Sequence, residues 1–141
     1  MKKYFLDTNI LIDFLAERSA FGVHALQIFK KARLGEWELW TSDNAVTTTY
    51  YVIQQSIGEQ AAREKLAKLL RYIDVQSISK EDLENALYSK FKDYEDAVQH
   101  NCALKITRLD GIITRNTKDF ALSALPVFAP YEVLFPENLA P

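Results

Sequence analysis

The chain is poor in the residues that usually mark special architectures. It carries one cysteine, one methionine, four glycines and four prolines in 141 residues. The single thiol, Cys102, closes no internal disulfide, so the expected setting is reducing and cytoplasmic, with Cys102 as a small buried hydrophobe. His24, His100 and Cys102 show no zinc-ligand spacing. A cationic excess is missing as well. Seventeen Lys and Arg face 19 Asp and Glu, for a net charge of -2. No overall basic field is available to hold nucleic acid, and any such partner must be met locally. No apolar run approaches the roughly 20 residues of a membrane span. The opening MKKYFLDTNILIDFLAER is interrupted by Asp7, Asn9 and Asp13, which argues against a leader core and against a membrane partner.

What is present is ordinary for a globular chain: 48% hydrophobic and 26% charged residues, with no low-complexity tract, repeat or linker. The length suits one domain over residues 1–141, with a core that needs no disulfide or structural metal.

Apolar periodicity alternates between two patterns. Tyr4, Phe5 and Leu6 form a short strand ending at Asp7, where Thr8 or Asn9 can cap a helix through Ile10, Leu11, Phe14 and Leu15. Phe21, Ala25, Ile28, Phe29 and Ala32 predict a second helix that stops at Gly35. WELWT at 37–41 reads as a strand. Ser42 or Asp43 then caps a helix to Gly58, predicted on the spacing of Val46, Tyr50 and Ile53 despite the poor helix former run Thr47, Thr48, Thr49. Ala62, Leu66, Leu69, Leu70 and Ile73 mark another helix, 75–78 a weak strand, and Ser79 with Asp82 a capped helix through Leu83 and Leu87. A helix over 93–104 follows, then a buried strand in DGIITRN at 110–116, a helical turn over 119–125 and a last strand at 127–129. The tail after Pro130 either docks or frays. Strands alternating with helices predict an α/β domain with a mostly parallel sheet.

In such sheets, sites form beyond the carboxyl ends of strands. Asp7, Asn116 and Asp119 fall there, and FKDYEDA at 91–97 places Asp93, Glu95 and Asp96 at a helix start. Gathered carboxylates raise one another's pKa unless a cation offsets them. Mg²⁺ takes oxygen ligands, often one or two carboxylates plus substrate phosphates, so the pattern points to phosphoryl chemistry. Each acid also has a purely structural reading. Asp93 and Asp96 make an ordinary helix start, and Asp7 and Asp119 make ordinary caps. Asp13 and Glu17 read as a solvated helix face, Trp37 and Trp40 as core and sheet-edge aromatics, and Lys30, Lys31 and Arg33 as a solvated helix end. Glu95, about 100° around the helix from Asp96, is the acid of FKDYEDA expected to stand farthest from a shared site.

Taken together, LDTNILIDFL at 6–15, FKDYEDAVQHNCA at 91–103 and IITRNTKDF at 112–120 resemble the PIN-domain family, in the bacterial branch of VapC-like toxins. The resemblance implies a three-layer α/β/α fold and an Mg²⁺- or Mn²⁺-dependent endoribonuclease. It makes Asp7 and Asp96 the metal ligands, Asp93 a nearby acid acting through water, and Asp119 or Asn116 the orienting group, with Asp119 favoured as the acid. Thr8 and Asn9 support the site, and Arg115 or Lys118 contact the RNA backbone. Thr48 stands where many active relatives carry Glu, which implies a site that holds one metal rather than two, or holds it more weakly. The same resemblance implies an antitoxin partner and a homodimer. Two other readings are a catalytically weak module that binds RNA or protein, and an aspartate-nucleophile phosphatase built on Asp7, which would normally carry its second Asp where this chain has Asn9.

Overall fold

The computed structural model describes residues 1–16 and 19–139. In order, the elements are β1 (Lys2–Leu6), α1 (Thr8–Ala16), α2 (Ser19–Arg33), β2 (Trp37–Ser42), α3 (Asp43–Ile57), α4 (Glu59–Leu69), β3 (Asp74–Gln76), α5 (Lys80–Leu87), α6 (Tyr94–Leu104), β4 (Gly111–Ile113), β5 (Val127–Phe128) and α7 (Pro130–Leu134). Short 3-10 turns occupy Thr117–Phe120 and Pro136–Leu139.

The described strands form one sheet in the order β3-β2-β1-β4-β5, and every pairing is parallel. Strand β1 shows why helices cover both faces. Successive side chains of a strand point to opposite sides. Tyr4 and Leu6 join a core with Ile10, Leu11, Leu15, Ile28, Leu39 and Ile113, whereas Phe5 joins Cys102, Ala103, Ile106, Ile112 and Phe120. These two cores make the fold three-layered, as the sequence predicts. Cys102 is fully buried, and that burial pushes its thiol up to about 12.

Winding away from β1 proceeds in both directions, so the carboxyl ends of β1 and β4 meet at the switch point. Leu6 pairs with Ile113, and the Asp7 N–H donates to the Ile113 carbonyl at 3.0 Å.

Three local outcomes refine the sequence reading. Helix α3 tolerates its threonines because Thr47 and Thr49 donate their hydroxyls to the carbonyls of Asp43 and Ala45, one turn back. Its most buried face is Ala45, Thr49 and Ile53, one position around from the spacing that predicts it. Strand β4 is shorter than 110–116 because the chain leaves the sheet after Ile113, and the helical turn expected at 119–125 sits at Thr117–Phe120. The tail docks. The Glu132 carboxylate accepts from the Ala129 N–H at 2.8 Å, and Val133 and Leu134 pack on the first core.

Asp13 is not on a solvated face: it is 1% exposed. Glu17 lies outside the described residues. Among the described residues no helix is long and apolar enough to cross a membrane.

Gly111 marks the tightest contact of the sheet. A Cβ there would meet the Phe128 ring at 2.7 Å and the Pro126 carbonyl oxygen at 2.8 Å, and a backbone oxygen between paired strands has little room to yield. Gly111→Ala is expected to cost about 1–3 kcal/mol through overpacking. A thermal unfolding midpoint equal to wild type would contradict this.

Candidate functional site

Asp7 ends β1 and is 7% exposed. Neutral donors hold its carboxylate: the Thr8 N–H to Oδ1 at 2.8 Å, the Thr114 hydroxyl to Oδ2 at 2.7 Å and Asn9 Nδ2 to Oδ2 at 3.3 Å. Thr114 Oγ1 also accepts from Asn9 Nδ2 at 3.3 Å and from the Asn116 N–H at 3.1 Å. The Asn9 carbonyl oxygen accepts from the Arg115 N–H at 3.3 Å. Thr8 therefore supports Asp7 through its backbone and Asn9 through its side chain. Burial raises the Asp7 pKa, the charges of Glu95 and Asp119 add to the rise, and the bonds from Thr114 and Thr8 offset only part of it.

The second segment is the start of α6. Asp93 caps it, accepting from the Asp96 N–H at 3.0 Å. Asp96 is half-buried, and its pKa is pushed up to about 7, first by burial and then by the charges of Asp7, Asp93, Asp119 and Glu95. The cap role of Asp93 and its place beside the site are thus compatible. Glu95 turns away from Asp96 along the helix, and its charge acts on Asp96 less than those of Asp7, Asp93 and Asp119, while also reaching Asp7.

The third segment is the turn after β4. Asp119 is exposed, its N–H donates to the Asn116 carbonyl at 3.0 Å, and its charge reaches Asp7 and Asp96. Asn116 is exposed, with no capping bond from its side chain.

Helix α6 is held in place by groups that the sequence reading missed. Gln99, 1% exposed, accepts from the Ser42 hydroxyl at 2.6 Å and donates to Asn44 Oδ1 at 3.2 Å. Lys105 pairs with Asp82 of α5 at 2.6 Å, and His100 Nε2 accepts from the Ala124 N–H at 3.0 Å. Thr114 was missed too. Its only signal in the sequence is a hydroxyl ending the apolar run before the TRN turn.

Arg115 does not stand free to meet RNA. Its guanidinium donates to Asp13 through Nε at 2.5 Å and Nη2 at 3.3 Å, and it lies 4.2 Å from the centre of the Phe21 ring. A two-pronged ion pair with a buried carboxylate, backed by an aromatic face, is a strong anchor. Lys118 is exposed, with no such partner. Thr48 is half-buried on α3 and lines a groove of about 630 Å³ that Glu95 also lines.

The arrangement concentrates negative charge at one end of the sheet, and among the described residues no Lys, Arg or His side chain bonds Asp7 or Asp96. Among the described residues no three His, Cys, Asp or Glu side chains gather closely enough to cage an ion by themselves. One or two carboxylate oxygens with room for water and phosphate suit a hard divalent cation. Burial first and the neighbouring acids second raise the pKa of Asp7 and of Asp96, and a positive charge there would act in the opposite direction.

Comparison with known proteins agrees with this picture. Residues 3–118 match the profile of the PIN domain. The chain is 27% identical over 126 residues to ribonuclease VapC1 of Aquifex aeolicus (strain VF5), covering 84% of each chain. Among solved structures, a chain of a toxin–antitoxin complex from Klebsiella pneumoniae is 29% identical, with a TM-score of 0.62 and coverage of 91% of this chain and 98% of that one. VapBC2 of Rickettsia felis, solved with a DNA fragment from its promoter, shares the fold at 18% identity, with a TM-score of 0.65 and coverage of 89% and 96%. With its profile matched from the first strand through the turn that carries Lys118, this chain belongs to the PIN domain family.

Proposed function

We propose that this chain is an endoribonuclease that hydrolyses RNA phosphodiesters with Mg²⁺ or Mn²⁺, acting as the toxin of a toxin–antitoxin pair. The observation that carries the reading is the pair Asp7 and Asp96, both raised in pKa and brought together from separate segments. The ribonuclease from Aquifex and the Klebsiella toxin–antitoxin complex support it as relatives. Asn9 favours a nuclease over an aspartate-nucleophile phosphatase, because it bonds Asp7 where the second acid of that chemistry would stand.

Asp7 and Asp96 would hold the ion. When bound, it supplies Lewis acidity at the phosphodiester and lowers the pKa of the attacking water. The chain's own groups do the rest. Thr8 and Thr114 fix the Asp7 carboxylate, Asp96 would hold the ion in its deprotonated form, and Asp93 orders the first turn of α6. Asp119, with Asn116 beside it, orients water, and Lys118 meets the RNA backbone. Residues 1–141 act as one domain in a cytoplasmic homodimer. An apolar groove of about 550 Å³, lined by Phe14, Val23, Leu26 and Tyr72 with Lys65 and Lys68, supports a protein antitoxin as partner.

The purified protein is expected to cut single-stranded RNA in Mg²⁺ or Mn²⁺, and Asp7→Asn or Asp96→Asn to abolish cutting. Cleavage that survives both substitutions would overturn the assignment.

Asp96 also gives a pH signature. Its folded pKa of about 7 lies above the ordinary 3.8. In the metal-free protein its contribution to stability is fully present below about pH 4 and is lost as pH rises through about 7. Asp96→Asn in EDTA is therefore expected to match wild type near pH 4 and to melt at a higher temperature than wild type at pH 8. Adding Mg²⁺ at pH 8 stabilises wild type alone. Equal melting at pH 8 would refute the uncompensated charge.

A second reading, a slow or chiefly binding module, is favoured by Thr48, which adds no charge facing Glu95 across their groove. Thr48→Glu is expected to tighten Mn²⁺ binding in calorimetry and raise the cleavage rate. No gain in either would show that the site does not lack a carboxylate at that position.

A further inference from the structure

The groove of about 630 Å³ beside the acidic centre lies between the first turns of α3 and α6. Ile78 and Val98 contribute an apolar lining, and no Lys or Arg lines it, so it offers nothing to a phosphate. It offers instead the functional groups that read a base. Glu95 is exposed and has no ion pair or hydrogen bond among the described residues, which leaves both carboxylate oxygens as acceptors. Asn44 is held by the buried Gln99, whose Nε2 donates to Asn44 Oδ1, so the amide nitrogen of Asn44 is the group left to donate. The Tyr94 ring is half exposed, and its hydroxyl is anchored on the Leu83 carbonyl at 3.1 Å. A fixed aromatic face with hydrogen-bonding groups beside it is how proteins take an unstacked base from single-stranded RNA. The volume falls in the range of small-ligand sites.

We infer that this groove is a guanine subsite of the proposed ribonuclease, with Glu95 and Asn44 as the specificity-determining residues. The inference rests on that functional reading for its place beside the scissile bond. Guanine alone among the four bases presents two adjacent donors, N1–H and the 2-amino group, next to an acceptor, O6. A carboxylate matches the two donors, and an amide donor matches O6. Adenine and cytosine would turn a ring nitrogen lone pair toward Glu95, and uracil has a single N–H between two carbonyls. Glu95 also links the groove to the ion site, since its charge is felt at Asp7 and Asp96.

Nucleosides test the subsite apart from catalysis, because they carry no phosphodiester. Titrating ¹⁵N-labelled, metal-free protein with guanosine is expected to shift the amides of Asn44, Thr48 and Glu95, with saturation at a concentration about tenfold lower than for adenosine, cytidine or uridine. Inosine, which lacks the 2-amino group, falls between them. Glu95→Gln, with unchanged melting in the presence of Mg²⁺, removes the preference for guanosine. Shifts elsewhere, or equal saturation by all the nucleosides, would overturn the subsite. A protein that binds guanosine here and leaves RNA intact would overturn the ribonuclease reading alone. One that cuts RNA without regard to guanine and ignores guanosine would overturn the subsite alone.

Discussion

The parallel contact between β1 and β4 is the constraint on which the acidic centre depends. It sets Leu6 against Ile113, so the residues that follow, Asp7 and Thr114, leave the sheet side by side. Asp7 is then buried where its best donors are a hydroxyl, a side-chain amide and a backbone N–H. Such neutral donors orient a carboxylate without neutralising it. A register slip of one residue would reverse which of Leu6 and Phe5 faces each core, so both cores and the Asp7–Thr114 bond are specified by the same pairing.

Burying Asp7 and Asp96, and holding further acids near them, has a cost, visible in the direction of both pKa shifts. The fold meets it by anchoring α6 away from the charges. Gln99 bonds Ser42 and Asn44, Lys105 reaches Asp82, and His100 accepts from the Ala124 backbone. Ala97, Val98, Cys102 and Ala103 of the same helix are buried. Asp96 is thus presented by a helix whose position is decided by packing, by neutral hydrogen bonds and by one ion pair at its far end, all away from the repulsion at its first turn. Local strain of this kind, offset by ordered surroundings, is typical of functional sites.

Most of the architecture was legible because it rests on local periodicity. The spacing of β1, α1, α2 and α6 survives nearly unchanged, and the threonine-rich α3 is readable as helix from the spacing of Val46, Tyr50 and Ile53 despite its threonines. The acids of the three segments were legible as residue types at element ends. What the sequence did not reveal are partners distant along the chain. Asp13 looks like a polar position on an amphipathic helix until Arg115 arrives from 102 residues away. Nothing in the local sequence around Gln99 announces its buried bond with Ser42, 57 residues away. Glu95 points away from Asp96 around the helix, yet its charge still acts on Asp96 and Asp7. Coulombic influence reaches farther than a ligand bond, so an acid turned from the ion site can still shape its field.

The fate of Arg115 bears on how a chain with net charge -2 can address a polyanion. A cation in the turn after β4 is an obvious candidate for the RNA backbone, yet this one closes on Asp13 and stacks over Phe21. Together with the bond from its N–H to Asn9, that closure ties the turn carrying Asn116 and Asp119 to α1, the helix that begins immediately after Asp7. Lys118 is left exposed in the same turn, and under the proposed function positive charge at the centre itself would come from a bound cation. Electrostatic attraction is then confined to the point where the acids gather. A protein built this way would engage RNA weakly along its surface, so selectivity would fall to groups beside the acidic centre, where the groove between α3 and α6 displays its unpaired carboxylate.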